Sequence, residues 1–248
     1  MTMTKLDQPM QKILIFDADD TLWDNNRYFE RAIEEFLDLV AFLAPDRRAV
    51  RSLLSEVEKE CIPVGGYGTK NFIRALRETF RRLYHSSDGH GYLAAIEEIG
   101  TRLLHHPIQP RPAVASTLQI LQFGHRLLVF TKGDPAEQTG KLERSGLKPY
   151  FERMEIVPEK DVEAYRELIR RCSLDPEQTY MIGNSPRSDI VPALEAGLWA
   201  VFIPHPNTWE LEQQEVPPHS RLLHAQSIRA LPPLLSFVNA SPSGEERL

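Results

Sequence analysis

The chain has 248 residues, 42% of them hydrophobic and 26% charged, with a formal net charge of −6 at pH 7. That length can bury a sizeable core and favours two domains over one, while the acidic balance argues against a nucleic-acid backbone or an anionic membrane as the main partner. Cys61 and Cys172 lie far apart and form no metal or redox pattern, and no run has signal-peptide or membrane-spanning character; buried free thiols in a soluble cytoplasmic protein are the expectation.

Residues 12–23 read KILIFDADDTLW. Ile13 to Phe16 form an apolar run without alternation, the pattern of a strand buried on both faces, although four residues also suit a buried helical turn. The run stops at Asp17, Ala18, Asp19, Asp20 and Thr21. In an open parallel sheet the functional crevice lies at the carboxyl ends of the strands, so this acidic turn is expected there. Crowded carboxylates repel one another, and a proton or a bound cation must relieve them.

The period then changes. Phe29, Ile33, Phe36, Leu37 and Val40 recur at three- and four-residue spacings, predicting a helix over residues 25–44, with Asp24 as its N-cap and Pro45 as its stop. Further helices are expected over residues 47–61, 70–85 and 91–105. Residues 62–69, IPVGGYGT, should break the helical run with three glycines and a proline. Residues 24–107 therefore read as a strand-free insert of four helices around one core, and residues 107–112 as a return linker. Beyond it, helices are predicted over residues 113–123, 135–147, 161–172 and 188–196, with strands over 126–130, 154–157, 179–182 and 199–203. Strict alternation of this kind predicts a doubly wound parallel sheet, that is, an α/β Rossmann-like core formed by residues 1–23 and 108–248. A weak helix near residues 228–238 and a polar tail follow.

Three later strand ends carry polar groups. The first is Thr131-Lys132-Gly133-Asp134, where a hydroxyl and backbone N–H groups can bind a phosphate oxygen. The second is Pro158-Glu159-Lys160-Asp161, and the third is Gly183-Asn184-Ser185-Pro186-Arg187-Ser188-Asp189. Each alone suits an ordinary turn, a solvated lysine or a helix start. Their order is more telling than any one of them.

Asp17-Ala18-Asp19-Asp20-Thr21-Leu22 resembles the DxDxT(L/V) signature of the haloacid dehalogenase superfamily of hydrolases, and the downstream groups resemble its second, third and fourth motifs. The resemblance covers residues 12–22 and about 110–203, and the insert is similar to the superfamily's type I helical cap. It implies a Mg²⁺-dependent phosphatase for a small phosphorylated metabolite. Asp17 would be the nucleophile and Asp19 the acid and base. Thr131 and Gly133 would hold phosphate, and Lys160, with Lys132 in reserve, would neutralise it. Asp17, Asp19, Asn184 and Asp189 would hold the metal, Asn184 standing where the family motif has Asp. Gly65, Gly66 and Tyr67 would be either a substrate-facing cap loop or a plain interhelical turn. The resemblance leaves open a metal-independent 2-haloacid dehalogenase, a mutase, and a phosphate-binding regulatory protein with weakened catalysis. The eight histidines show no zinc-ligand spacing.

Overall fold

A computed structural model describes residues 11–84 and 89–240. The polar tail and the end of the helix expected to reach His85 lie outside them.

Six parallel strands form one sheet in the order β3-β2-β1-β4-β5-β6. They are β1 (Ile13–Phe16), β2 (Arg126–Lys132), β3 (Arg153–Val157), β4 (Thr179–Gly183), β5 (Trp199–Phe202) and β6 (Leu222–His224). β1 lies in the middle because its apolar run has no polar face to offer solvent. Leu14 and Phe16 pack on one side with Val129 and Ile182, and Ile13 and Ile15 on the other with Leu128 and Met181. Strand order reverses beside β1, so the ends of β1, β2 and β4 open onto a common crevice.

The insert is α1 (Asn26–Val40), α2 (Arg47–Gly65), α3 (Thr69–Leu83) and α4 (His90–Leu104). They bury a core of their own, with Phe36, Leu54, Leu76 and Ile96 at its centre. The sheet is flanked by α5 (Val114–Leu121), α6 (Pro135–Arg144), α7 (Val162–Cys172), α8 (Val191–Glu195) and α9 (Leu231–Ala240).

Several expected boundaries move. Asp24 does not cap α1; Asn25 is the capping residue, and the buried Asp20 carboxylate accepts the N–H groups of Asn25 and Asn26 at 2.8 and 3.1 Å. α2 continues through Pro63 to Gly65, because one missing N–H near a helix end costs little against the buried stripe of Val50, Leu54, Val57 and Cys61. The break falls at Gly66, where φ is +71°. β2 runs two residues further than expected, to Lys132, paired with β3. A wide turn over Pro186–Ile190, in which the N–H groups of Asp189 and Ile190 both reach the Ser185 carbonyl, replaces the first turns of the helix expected from residue 188. β6, three residues long in a Pro- and His-rich stretch, has no sequence period to reveal it. Cys61 is buried as expected, whereas Cys172 is half-buried and takes a 3.0 Å contact from Arg153.

Gly65 is fixed by space. A Cβ there would lie 2.2 Å from Asn71 Oδ1 and 2.7 Å from its Cγ, and Asn71 Nδ2 donates to the Gly66 carbonyl at 2.7 Å. Gly65→Ala should therefore displace Asn71 and lower stability by about 1–3 kcal/mol, read by urea unfolding. An unchanged midpoint would mean that the loop yields freely.

Candidate active site

The Asp17 amide, directly after β1, donates to the Ile182 carbonyl of β4 at 2.9 Å, which fixes where its side chain starts. Asp17 Oδ1 accepts from Lys160 Nζ at 2.6 Å, and Oδ2 from the Thr21 hydroxyl at 2.9 Å. Lys160 reaches in from the turn between β3 and α7. It also donates to Asp189 Oδ1 at 2.5 Å and to the Phe130 carbonyl at 3.3 Å. All three charged side chains are nearly solvent-free. The Asp17 carboxyl is pushed up to about 7, chiefly by burial and then by Asp189, with Lys160 opposing both. Burial opposes the charge on Lys160, but Asp17 and Asp189 win and hold its ammonium above the ordinary range. One cation thus serves two carboxylates, leaving a buried excess of negative charge.

That excess faces Asn184. Thr21 Oγ1 lies 3.0 Å from Asn184 Oδ1 as well as 2.9 Å from Asp17 Oδ2, so one hydroxyl hydrogen is shared by two oxygens. Asn184 Nδ2 is turned the other way, toward Thr208 Oγ1 at 3.4 Å. Two under-supplied oxygens beside surplus negative charge are a donor set that fits a hard divalent cation. Asp189 is supplied by other donors: Oδ1 accepts from Lys160, and Oδ2 accepts the Ser185 N–H at 2.9 Å. Its carboxyl is raised chiefly by burial, which Lys160 and the Ser185 amide offset.

Asp19 borders the same cavity but has its own set of partners. Its carboxylate accepts from Trp23 Nε1 at 2.7 Å, Gln138 Nε2 at 2.9 Å and Lys141 Nζ at 3.0 Å. Burial works against the charge, but Lys141, Gln138 and Trp23 together hold the carboxyl below its usual range. Neither Gln138 nor Lys141 is singled out by the sequence. The available signal was Gln138 and Lys141 one turn apart in the helix that starts at the end of β2, where a buried face should be apolar.

Thr131 is buried at the end of β2 and borders the same cavity as Asp17, Lys160 and Asn184, a space of about 160 Å³ roofed by Phe29 and Phe72 of the insert. Gly133, at φ +135°, turns the chain out of the strand. Lys132 borders the cavity, but its ammonium is committed to Glu212 at 2.6 Å, Ser188 at 2.9 Å and Glu159 at 3.0 Å, and sits 4.0 Å above the Tyr67 ring. Tyr67 donates to Glu159 at 2.5 Å and meets the Trp209 ring edge-on, so its loop docks the insert on the core as well as lining the cavity. Asp20, Asp24 and His205 also cluster. Arg27 at 2.8 Å and Arg111 at 3.5 Å pair with Asp24 there, which makes the cluster part of the joint beneath α1.

A parallel sheet with an aspartate cluster at its central strand ends, beneath a helical insert, defines a class of hydrolase. Residues 11–197 match the model of the haloacid dehalogenase-like hydrolases, and the chain belongs to that family. It is 28% identical over 203 residues to a glyceraldehyde 3-phosphate phosphatase of Methanothermobacter thermautotrophicus, covering 78% of this chain and 86% of that one. It is 26% identical over 222 residues to the enzyme of the same name in Methanocaldococcus jannaschii, covering 83% and 90%. A haloacid dehalogenase-like hydrolase from Xanthomonas campestris superposes with a TM-score of 0.81 at 28% identity, covering 94% of this chain and 93% of that one.

Proposed function

We propose that this hydrolase is a Mg²⁺-dependent phosphatase that cleaves a small phosphorylated metabolite through a phosphoryl-Asp17 intermediate. The observation that carries the reading is Asp17 itself, buried, held by Lys160 and Thr21 and lining the cavity. An Asp17 oxygen attacks phosphorus and the ester oxygen departs with a proton from Asp19; water then opens the acyl phosphate, giving its proton to Asp19. Lys160 and Thr131 hold the transferring oxygens, where catalysis is mainly positioning and charge stabilisation. Mg²⁺, held by Asp17, Asn184 and the Asp19 backbone carbonyl, would neutralise phosphate charge. Asp189 acts through Lys160. The insert, residues 24–107, is the cap that keeps bulk water out.

The relatives' name makes glyceraldehyde 3-phosphate the first compound to try. The test is turnover of a panel of phosphorylated metabolites with Mg²⁺ present and then chelated. Chelator-sensitive phosphate release supports the reading; metal-independent halide release from 2-chloropropionate, without phosphatase activity, overturns it.

Asn184 supports a second measurement. A neutral oxygen brings no charge to the metal. At roughly 4 Å and an effective dielectric near 20, a unit charge pair is worth about 4 kcal/mol. Desolvation and repulsion from Asp17 should cancel much of that, leaving a gain of about 1–2 kcal/mol for Asn184→Asp. The Mg²⁺ concentration for half-maximal activity should then fall about tenfold at fixed ionic strength. Coincident midpoints would remove Asn184 from the metal site.

A further inference from the structure

We infer that Lys141 is a positioning residue that aims Asp19 at the water that opens the acyl phosphate, and that Glu137 couples this aim to docking of α3. The inference rests on the proposed role of Asp19 as the base. Lys141 is 2% exposed, yet no carboxylate of its own strand-end motif explains it. Its ammonium spans three parts of the molecule. It donates to both Asp19 oxygens at 3.0 and 3.2 Å, and to Asn25 Oδ1, at the start of α1, at 2.8 Å. It lies 3.4 Å from Glu137 Oε1. Glu137, also buried, accepts the Thr69 N–H and the Thr69 hydroxyl, both at 2.9 Å. Thr69 is the first residue of α3, so one of the orphan donors at that helix start is satisfied by a core carboxylate. A continuous path of charged hydrogen bonds, with one ion pair between Glu137 and Lys141, therefore runs from α3 to Asp19.

The geometry selects one half of the reaction. Lys141, together with Trp23 and Gln138, holds Asp19 with both oxygens as acceptors, in the ionised form that the second half of the reaction uses. In that step the water O–H proton passes to Asp19, the water oxygen bonds to phosphorus, and the Asp17–phosphorus bond breaks with its electron pair returning to the Asp17 carboxylate. With Lys141 removed, only Trp23 and Gln138 hold the base, and the intermediate should persist.

4-Nitrophenyl phosphate is a suitable probe, since its leaving group needs no proton. Lys141→Met should lower kcat by about a hundredfold. KM should fall with it, kcat/KM should stay within about threefold, and 4-nitrophenol should appear in a burst near one equivalent per site. Glu137→Gln, which keeps its shape, should lower kcat by about tenfold with the same burst. The double variant should lose no more than Lys141→Met alone. Loss of kcat/KM without a burst would make Lys141 merely structural and overturn the inference, as would multiplicative losses for Glu137. Should Lys141→Met not fold, a Glu137→Gln variant without a burst overturns it as well. Asp19→Asn separates the layers: with no slowing of the second step, the base role fails and the inference falls with it. If Asp19→Asn accumulates intermediate and Lys141→Met does not, only the inference falls.

Discussion

Asp17→Asn should abolish multiple turnover, by at least about 10⁴-fold in kcat, while leaving the fold intact. The amide has the carboxylate's shape. Its oxygen can still accept from Lys160, and its nitrogen can donate to Thr21 Oγ1. What it lacks is the nucleophile. It also lacks one of the two carboxylates that compete for a single ammonium, so stability should hold or rise. The sign follows from the raised carboxyl: burial and Asp189 push Asp17 up to about 7. Its favourable contribution is therefore complete below the unfolded value near 4 and lost as pH rises through about 7. In chelator, wild type and variant should melt together at pH 4, and the variant should melt at the same or a higher temperature at pH 8. Turnover above roughly a hundredth of wild type would remove Asp17 as the nucleophile.

Lys160→Met should be the most destabilising single change at the site. It strands Asp17 and Asp189 in a dry interior, and breaking a buried ion pair from one side typically costs about 3–5 kcal/mol. Both carboxyls would rise further, so the loss should be greatest at pH 8 and shrink toward pH 5 as they take up protons. Urea unfolding at the two pH values in chelator reads this directly. Adding Asp189→Asn should restore much of the stability but not the activity, because phosphate would still lack its cation. Lys132→Met provides the contrast, since that ammonium is spent on Glu159, Glu212 and the Tyr67 ring. It should disturb docking of the insert and spare the reactivity of Asp17. A pH-independent loss for Lys160→Met, or an equal loss of kcat/KM for Lys132→Met, would undo the assignment of Lys160.

The sequence by itself determined the strand–helix alternation, the four-helix insert and the place of Asp17. These depend on patterns that repeat within one element: an unbroken apolar run for β1, three- and four-residue spacing for α1, a polar turn where burial stops. Local patterns also misled, as at Pro63, where packing of the rest of α2 outweighed one missing donor. β6 had too few residues to show a period at all. The tertiary structure alone decided which charges meet. Lys160 and Asp17 are 143 positions apart, and Lys141 and Asp19 are 122 apart. Nothing in the period of a helix or strand encodes such a partner. That is why the sequence could put Lys160 ahead of Lys132 only by resemblance, whereas the fold sets Lys160 against Asp17 and Asp189 and Lys132 against Glu159 and Glu212. A side chain's burial is written into its own element, whereas its electrostatic partner is set by where the sheet brings other strand ends.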